Sequence, residues 1–269
     1  MTNLIKIIIN IALDLVYPDS LYCICCGKII DESRPYRLCN ECMDGVNWAT
    51  GRLCAKCGKP MSEFDTGQIC YGCREQNHLY RQGYTCARYG NCERAIVFSM
   101  KYGGRTDIAK TLGEIMADRL NLTYYGTSPG LSPAEEYDAI TAVPMYEPKR
   151  LKRGFNQAEL IARELSSITG IPYEPAVMRM RDTPAMKGLS RDERDRNVSG
   201  AFQAEGDVCG KTYLVVDDLY TTGATADAVT KALLDAGAEA VDYISFASGA
   251  DRVSADAARA LDEDEETLV

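Results

Sequence analysis

The sequence predicts an α/β protein in which a parallel sheet follows a small, cysteine-rich, metal-binding region. Two observations predict this fold class. Eight of the twelve cysteines lie in regularly spaced pairs before residue 75, and apolar runs alternate with helical patterns from residue 76 to 250. A chain of 269 residues with 46% hydrophobic and 26% charged residues is typical of a globular protein of one or two domains. Wholesale disorder, a coiled coil and a polytopic membrane protein are excluded.

Residues 1–20 are expected to form an amphipathic helix. The apolar run 4–16 is interrupted at helical spacing by Lys6, Asn10 and Asp14. A secretory signal would not carry such a polar stripe, and no small-residue cleavage site follows. The run is also shorter than the ~20 residues that a bilayer-spanning helix needs. We therefore expect a cytoplasmic protein with no membrane insertion.

Residues 21–75 contain a duplication built from four C-x2-C pairs. The second half repeats the first at an offset of 31 residues, and Gly-Lys follows the first pair of each half. Two such pairs bring four thiolates to one ion and leave no open position, so we expect two structural zinc sites. The ligands would be Cys23, Cys26, Cys39, Cys42, Cys54, Cys57, Cys70 and Cys73. Pairing within each half is favoured over interleaving, and redox-active or disulfide-bonded cysteines are the alternative.

Four other cysteines and the single histidine fall outside this pattern. Cys25, Cys86, Cys92 and Cys209 are expected to be small buried hydrophobic residues. His78 has no neighbouring ligand cluster in the sequence and is expected to belong to a linker.

The region from residue 76 to 250 alternates predicted strands and helices. Strands are expected at 84–89, 139–143, 213–216 and 241–247. Helices are expected at 91–102 with Asn91 as its cap, at 108–120, and around 158–168 and 229–236, with a loop at 123–133. This alternation is typical of a parallel α/β sheet.

The charge of the chain is concentrated at its end. Residues 251–269 hold seven acids and two arginines, a net −5 out of the total −9, and are expected to form a solvated acidic tail. A protein that binds nucleic acid by bulk charge is usually basic, so any such binding would need a local patch.

The most specific motif is the segment YLVVDDLYTTGAT at residues 213–225. An apolar strand leads to Asp217 and Asp218, and a loop rich in threonine and glycine then opens a helix. Unpaired amides and the positive dipole at a helix N-terminus suit a phosphate group. Ligands of open α/β sheets bind at the carboxyl ends of the strands, where these acids lie. Two carboxylates beside a phosphate would repel it unless they bind sugar hydroxyls or a metal ion.

This segment resembles the phosphoribosyl pyrophosphate (PRPP) signature of type I phosphoribosyltransferases. The duplicated C-x2-C region, Arg-Gly-Phe-Asn-Gln at 153–157, Asp-Thr-Pro at 182–184 and Gly-Leu-Ser at 188–190 make the chain similar to the ComF family of competence-associated proteins. The resemblance implies a parallel-sheet, type I phosphoribosyltransferase-like domain behind a four-cysteine zinc-binding region. Met186 departs from the family pattern, which has glutamine at that position.

The resemblance also implies residue roles. Asp217 and Asp218 would hold the ribose of PRPP. The 5′-phosphate would be held by Thr221, Thr222, Gly223, Ala224 and Thr225.

Several basic and polar side chains are further candidates. Lys149, Arg150 and Arg153 could bind pyrophosphate, because guanidinium and ammonium groups attract this dense anion, or they could belong to a solvated loop. Lys101 is a weaker anion-binding candidate. Asn156 and Gln157 are expected to cap a helix. Arg181 and Thr183 would lie on a loop over the substrate or on a plain surface loop.

Two functions follow from these interpretations. The first is Mg²⁺-dependent transfer of phosphoribosyl from PRPP to an unidentified acceptor, with release of pyrophosphate. The alternative is a non-catalytic module that binds PRPP or a nucleotide during DNA uptake, together with a protein partner or single-stranded DNA. The net charge of −9 and a sequence without aromatic residues interleaved with basic ones argue against strong nucleic-acid affinity.

Overall fold

The structure, a computed structural model, describes residues 21–61, 65, 67–127, 132–182 and 200–249. The predicted N-terminal helix, the acidic tail, Thr183 and Met186 lie outside these residues.

Six strands and eight α-helices organise the described residues. The strands are β1 (Gly83–Arg88), β2 (Ala139–Ala142), β3 (Val177–Arg179), β4 (Phe202–Ala204), β5 (Thr212–Tyr220) and β6 (Ala240–Ser248). The helices are α1 (Asn40–Gly45), α2 (Tyr71–Glu75), α3 (Asn91–Lys101), α4 (Ile108–Thr127), α5 (Pro133–Glu136), α6 (Glu147–Arg153), α7 (Gln157–Thr169) and α8 (Ala224–Asp235).

Four of the strands form one parallel sheet in the order β1-β6-β5-β2, while β3 and β4 form a separate antiparallel pair. Helix α4 contacts β1 and β6, α7 contacts β2 and β5, and α8 contacts β6 and β4. Val215, Val216 and Ile244 are completely buried in this sheet, as parallel sheets covered by helices require. The predicted parallel α/β class is confirmed.

Helices α4 and α7 approach each other closely at a glycine. A Cβ atom added to Gly113 would lie 2.7 Å from the Cβ atom of Glu164, so a side chain at position 113 would push the helices apart. Within the part of the chain that the structure describes, none of the helices has the length and hydropathy needed to cross a membrane.

Two predicted boundaries differ from the structure. Helix α4 continues to Thr127 where a loop was expected from residue 123, because Tyr124 is buried and its hydroxyl donates to the Tyr137 oxygen at 3.2 Å. Pro133, expected to end that loop, begins α5, which carries a capping box from Ser132 and Glu135. Tertiary contacts and a local cap therefore override the glycine and proline signals.

Two more expectations are corrected at helix starts. Asn91 is the first residue of α3 and Gly90 is its N-cap, so Asn91 is not the cap. Lys149, Arg150 and Arg153, for which a loop was considered, lie on the helix α6. This helix has a proline in its first turn and ends at Gly154, which has a positive φ of 91°.

The cysteine-rich region covers the outer edge of the sheet. The amide of Ala49 donates to the carbonyl of Cys86 at 2.8 Å, and the amide of Arg88 donates to the carbonyl of Asn47 at 2.7 Å. These bonds satisfy backbone groups of β1 that would otherwise form an exposed edge. They also fix the metal-binding region against the strand that begins the sheet.

Candidate functional site

The two adjacent acids lie within β5 and not just beyond it. The strand was expected to end at Val216, but it continues to Tyr220 because β6 runs beside it to Ser248. In this register Asp217 pairs with Ser245. The ladder therefore carries both acids to the carboxyl edge of the sheet on rigid backbone.

Asp218 is buried beside a lysine. The Lys101 Nζ atom lies 2.9 Å from Asp218 Oδ2, and Gln157 Nε2 donates to Asp218 Oδ1 at 3.5 Å. Burial alone would raise the pKa of Asp218, but the Lys101 charge, together with hydrogen bonds from Lys101, Asp217 and Gln157, holds this pKa below its usual range. Burial likewise acts to lower the pKa of Lys101, and Asp218 raises it above its usual value. The pair is therefore ionised at neutral pH.

Asp217 has a different environment. The Tyr243 hydroxyl donates to Asp217 Oδ2 at 2.6 Å, and the amide of Asp218 donates to Asp217 Oδ1 at 2.8 Å. Burial and then the neighbouring charge of Asp218 raise the pKa of Asp217 to about 8. The site therefore holds one fixed negative charge, balanced by Lys101, and one carboxyl group that a cation would ionise.

Sequence reasoning ranked Lys101 below the other cations, but the structure places it in direct contact with Asp218. It is the last residue of α3, and no local signal in the sequence connects it to Asp218. The same holds for Gln157, which was expected to serve as a cap. Gln157 is buried in the first turn of α7 and lies between Asp218 and Arg153.

The three predicted pyrophosphate-binding cations lie on α6, and the structure separates them. Arg153 Nη1 donates to Gln157 Oε1 at 2.8 Å, so Arg153 is connected to Asp218 through one side chain. Lys149 Nζ lies 2.8 Å from Asp182, and Arg150 pairs with Glu147 at 2.7 Å. These two pairs are largely exposed to solvent.

Asn156 forms the predicted cap of α7. Its Oδ1 atom accepts from the amide of Ala158 at 3.2 Å, and its Nδ2 atom donates to the carbonyl of Val143 at 3.0 Å. The cap fixes the start of α7 against the end of β2. This places Gln157, the next residue, beside β5.

The threonine-glycine loop leads directly from β5 into α8. Gly223 is the N-cap of α8 with a φ of +86°, and Thr222 Oγ1 accepts from the amide of Ala224 at 3.5 Å. A Cβ atom added to Gly223 would lie 2.5 Å from His78 Cε1 and 2.6 Å from the Tyr220 hydroxyl oxygen. Glycine was expected here for close approach to a phosphate. The structure shows that packing against His78 and Tyr220 requires it as well.

His78 lies in the linker after the cysteine-rich region, as expected, but its side chain also forms a hydrogen-bonded contact with α8. Its buried side chain places Nδ1 2.7 Å from Asp227 Oδ2 and Nε2 3.3 Å from the Tyr220 hydroxyl. The amide of Leu79 also donates to Asp227 Oδ1 at 2.8 Å. The segment between the cysteine-rich region and β1 therefore contacts and stabilises the first turn of α8. His78 and Asp227 are 149 positions apart, so the sequence carries no local sign of this contact.

The eight paired cysteines form two clusters, each from one half of the duplication. The clusters are Cys23, Cys26, Cys39 and Cys42, and Cys54, Cys57, Cys70 and Cys73. The Sγ atoms of Cys26 and Cys39 are 3.8 Å apart, and those of Cys57 and Cys70 are 3.7 Å apart. Four converging thiols suit tetrahedral zinc. The grouping within each half agrees with the favoured pairing, and we call these clusters the first and second ribbon sites.

The remaining cysteines only partly follow expectation. Cys86 is buried as predicted, whereas Cys209 is exposed, and Cys25 and Cys92 are half-buried. Cys25 and Cys92 lie close to a ribbon ligand, a contact that the linear pattern does not contain.

Comparison with known proteins agrees with this architecture. A double zinc ribbon domain family matches residues 12–74, and a phosphoribosyl transferase domain family matches residues 151–266. The fold and the two ribbon sites thus define a protein with a phosphoribosyltransferase-type domain behind a double zinc ribbon.

Full-length relatives identify the family. The DNA utilization protein YhgH of Escherichia coli is 30% identical over 190 residues, which cover 70% of this chain and 81% of that protein. Competence protein F of Haemophilus influenzae is 25% identical over 224 residues, covering 78% of this chain and 96% of that protein. Competence protein ComFC of Bacillus subtilis is 23% identical over 218 residues, covering 78% of this chain and 82% of that protein. The chain belongs to the ComF family.

Proposed function

We propose that the carboxyl edge of β5 binds PRPP and that the protein transfers its phosphoribosyl group to an acceptor, releasing pyrophosphate. The observation that carries this proposal is the position of the two acids. Asp217 and Asp218 lie on β5 shortly before the loop that opens α8, and Lys101 contacts Asp218 from α3. A carboxylate pair suits ribose hydroxyls, and the amides at the start of a helix suit the 5′-phosphate. PRPP carries both groups on one sugar.

The loop residues have distinct roles in this proposal. Amides of residues 221–225 bind the 5′-phosphate, and the hydroxyls of Thr221, Thr222 and Thr225 add donors. His78 and Asp227 hold the loop from below, so its shape is fixed before the ligand arrives. A fixed loop loses less conformational entropy on binding.

The acids also fit a magnesium ion. Carboxylate oxygens are the hard ligands that Mg²⁺ takes. Burial and the charge of Asp218 raise the pKa of Asp217, and the charge of a bound cation would offset both effects. Asp217 and Asp218 would hold the ion together with PRPP oxygens. When bound, Mg²⁺ supplies positive charge that stabilises the pyrophosphate leaving group.

The reaction is a displacement at ribose C1′. The bond between C1′ and the pyrophosphate oxygen breaks, and pyrophosphate leaves with the electron pair. A bond forms from the acceptor to C1′, and the acceptor loses its proton to solvent. The negative charge of Asp218 stabilises the positive charge that develops at C1′.

Two cations are positioned to bind the pyrophosphate. Lys101 contacts Asp218 directly, and Arg153 reaches it through Gln157. When ribose hydroxyls engage Asp218, the ammonium of Lys101 becomes available to phosphate oxygens. Lys149 and Arg150 are paired with carboxylates outside this group and contribute less.

Pyrophosphate release tests this proposal. The protein is incubated with PRPP, Mg²⁺ and each of a panel of nucleobases and ammonia. We expect release that depends on one class of acceptor and falls at least tenfold in Arg153→Gln. The matched control is Arg163→Gln on α7, since Arg163 pairs with Glu159 on the same helix and lies outside the site. No release with any acceptor by a protein that binds PRPP would rule out the transferase.

The alternative function is a non-catalytic PRPP- or nucleotide-binding module in DNA uptake, with a protein partner or single-stranded DNA. The names of the relatives, DNA utilization protein and competence protein, favour it. One structural observation also favours it. Arg94 lies over the Phe98 ring at 5.3 Å, Phe98 lies 5.2 Å from Tyr102, and Arg153 lies over Tyr102 at 5.5 Å. The sequence showed no interleaving of aromatic and basic residues, but the fold creates it.

The two functions separate in a pair of assays. The alternative predicts PRPP binding without pyrophosphate release, together with salt-sensitive binding of a labelled single-stranded oligonucleotide. The transferase function predicts release of pyrophosphate from PRPP. We place either activity in the cytoplasm, because a reducing compartment keeps the ribbon thiols available to zinc.

A further inference from the structure

Three thiols meet where the first ribbon site touches helix α3. The Sγ atoms of Cys25, Cys42 and Cys92 lie within 4.8 Å of one another. Cys42 is a ligand of the first ribbon site, whereas Cys25 and Cys92 belong to neither ribbon site. Cys92 lies on α3, which follows β1 of the parallel sheet, so this cluster joins the cysteine-rich region to an element of the sheet-forming part of the chain.

We propose that Cys25, Cys42 and Cys92 form a third metal site for a thiophilic ion such as Zn²⁺, and that Cys42 bridges this ion and the ion of the first ribbon site. A thiolate sulfur has several lone pairs and can bind two ions at once. Soft thiolates select zinc and related ions over hard cations. Six cysteines would then hold two neighbouring ions: Cys23, Cys25, Cys26, Cys39, Cys42 and Cys92.

The surrounding structure directs Cys92 toward the ribbon. Cys92 lies in the first turn of the 11-residue helix α3, and its Sγ atom lies within 4.8 Å of the Cys42 Sγ atom. Gly45, at the end of α1, faces it: an added Cβ atom at this glycine would lie 3.0 Å from Cys92 Sγ. The absence of a side chain at position 45 leaves room for the thiol beside Cys42.

A buried anchor fixes this contact. Glu93 is completely buried, and its carboxylate accepts from the Asn47 amide at 2.6 Å and from Asn47 Nδ2 at 3.3 Å. Glu93 follows Cys92 directly, so the anchor holds the thiol in register with the ribbon. The cluster is therefore built by backbone and side-chain contacts on both sides, in addition to the proximity of three cysteines.

The proposed site differs from the ribbon sites in its coordination. Each ribbon site has four thiols and is closed. The third site has three, one of them shared, so its ion keeps an open position. An open position admits water or a chelator. The third ion should therefore leave faster than the other two.

Zinc content and release kinetics of the full chain test the proposal. Wild-type protein saturated with zinc and freed of excess metal should hold three ions, one of which passes to a chromogenic chelator at least tenfold faster than the others. Cys92→Ser and Cys25→Ser should hold two ions and lose the fast phase. Cys209→Ser, an exposed cysteine outside the clusters, should keep all three. Two ions in the wild type, or three in Cys92→Ser, would overturn the proposal.

Cadmium NMR gives a second measurement that needs no variant. Cadmium-substituted wild type should show three resonances, with scalar coupling between two of them through the Cys42 sulfur. Two resonances without coupling would contradict a shared thiolate. This outcome remains decisive even if a serine variant loses its ribbon fold. Neither experiment depends on PRPP, so the proposed function can fail while this site stands.

Discussion

At the scale of single residues, the site depends on two adjacent carboxyl groups, Asp217 and Asp218, whose pKa values are shifted in opposite directions. Asp218 is ionised by Lys101, whereas burial and the charge of Asp218 raise the pKa of Asp217. Neutralising one acid of such a pair relieves the repulsion between them. At neutral pH the unliganded protein therefore keeps Asp218 ionised and Asp217 largely protonated, and a bound cation would favour ionisation of Asp217.

The first prediction concerns the buried ion pair. Asp218→Asn should lower the free energy of unfolding by about 3 kcal/mol, because it leaves the ammonium of Lys101 buried without a counter-charge. The double variant Lys101→Met/Asp218→Asn should recover at least half of this loss. Urea unfolding at neutral pH measures both. Asp235→Asn, which breaks an exposed pair with Lys231, is the control and should cost under ~1 kcal/mol. Equal losses in Asp218→Asn and the control would contradict this account.

The second prediction concerns pH and Asp217. Its pKa is raised from 3.8 to about 8, so the folded protein binds more protons than the unfolded chain between these values. This contribution to stability is complete below about pH 4 and is lost as pH rises through about 8. Asp217→Asn stays neutral at every pH. Its melting temperature without ligand should match wild type near pH 4 and exceed it increasingly up to pH 8. Parallel curves for the two proteins would show that Asp217 is not perturbed.

At the scale of elements, the loop between β5 and α8 is shaped by what lies beneath it. His78, Asp227 and Tyr220 form a hydrogen-bonded group under Gly223. A residue outside the binding motif, from the linker after the second ribbon site, therefore determines the conformation of the motif. The linker therefore connects the second ribbon site to the loop through His78.

The third prediction separates packing from backbone conformation at Gly223. Gly223→Ala and Gly104→Ala both place a side chain at positive φ, which costs about 1–2 kcal/mol. The methyl group at position 104 would meet open space, whereas that at position 223 would meet His78 and Tyr220. Gly223→Ala should therefore lose about 1–3 kcal/mol more than Gly104→Ala in urea unfolding. Equal losses would mean that His78 does not pack against the loop.

The fourth prediction compares the two ribbon sites and rests on the proposed function. The second site packs near the loop: Lys59 Nζ lies 5.8 Å from the Tyr220 ring centroid, and a Cβ atom at Gly58 would meet the carbonyl oxygen of Gly83 at 2.6 Å. Cys57→Ser should therefore weaken PRPP binding at least tenfold. Cys26→Ser, the equivalent change in the first site, should weaken it less than threefold. Calorimetry gives both affinities. Equal effects of the two variants would show that the second ribbon site is not coupled to PRPP binding.

At the scale of the whole molecule, sequence patterns predicted the features that depend on residues close together in the chain. Hydrophobic runs located the four strands of the parallel sheet, and the C-x2-C spacing located both ribbon sites, because these features depend on neighbouring residues. The contacts of Lys101 with Asp218 and of His78 with Asp227 join distant parts of the chain. Spacing cannot encode them. The same reason explains why Cys25 and Cys92 were expected to be inert buried residues.

The order of the sheet explains how these distant residues meet. β5 lies at the centre of the sheet between β6 and β2, so elements from both sides converge on its carboxyl edge. Lys101 arrives from α3 after β1, and Gln157 arrives from α7 after β2. The topology therefore assembles a cation and an amide around the acids that the motif supplies.

Titration calorimetry with Mg²⁺ and PRPP tests the central claim most directly. The full chain should bind PRPP at one site, with saturable heat that requires Mg²⁺. Lys101→Met/Asp218→Asn, which removes the buried pair and is expected to fold, should bind at least about a hundredfold more weakly, a difference of roughly 2.7 kcal/mol. Saturable binding of PRPP to the wild type and its loss in this variant are the predicted result. No binding by the wild type, or equal affinity in both proteins, would contradict the assignment of this edge of the sheet as the PRPP site.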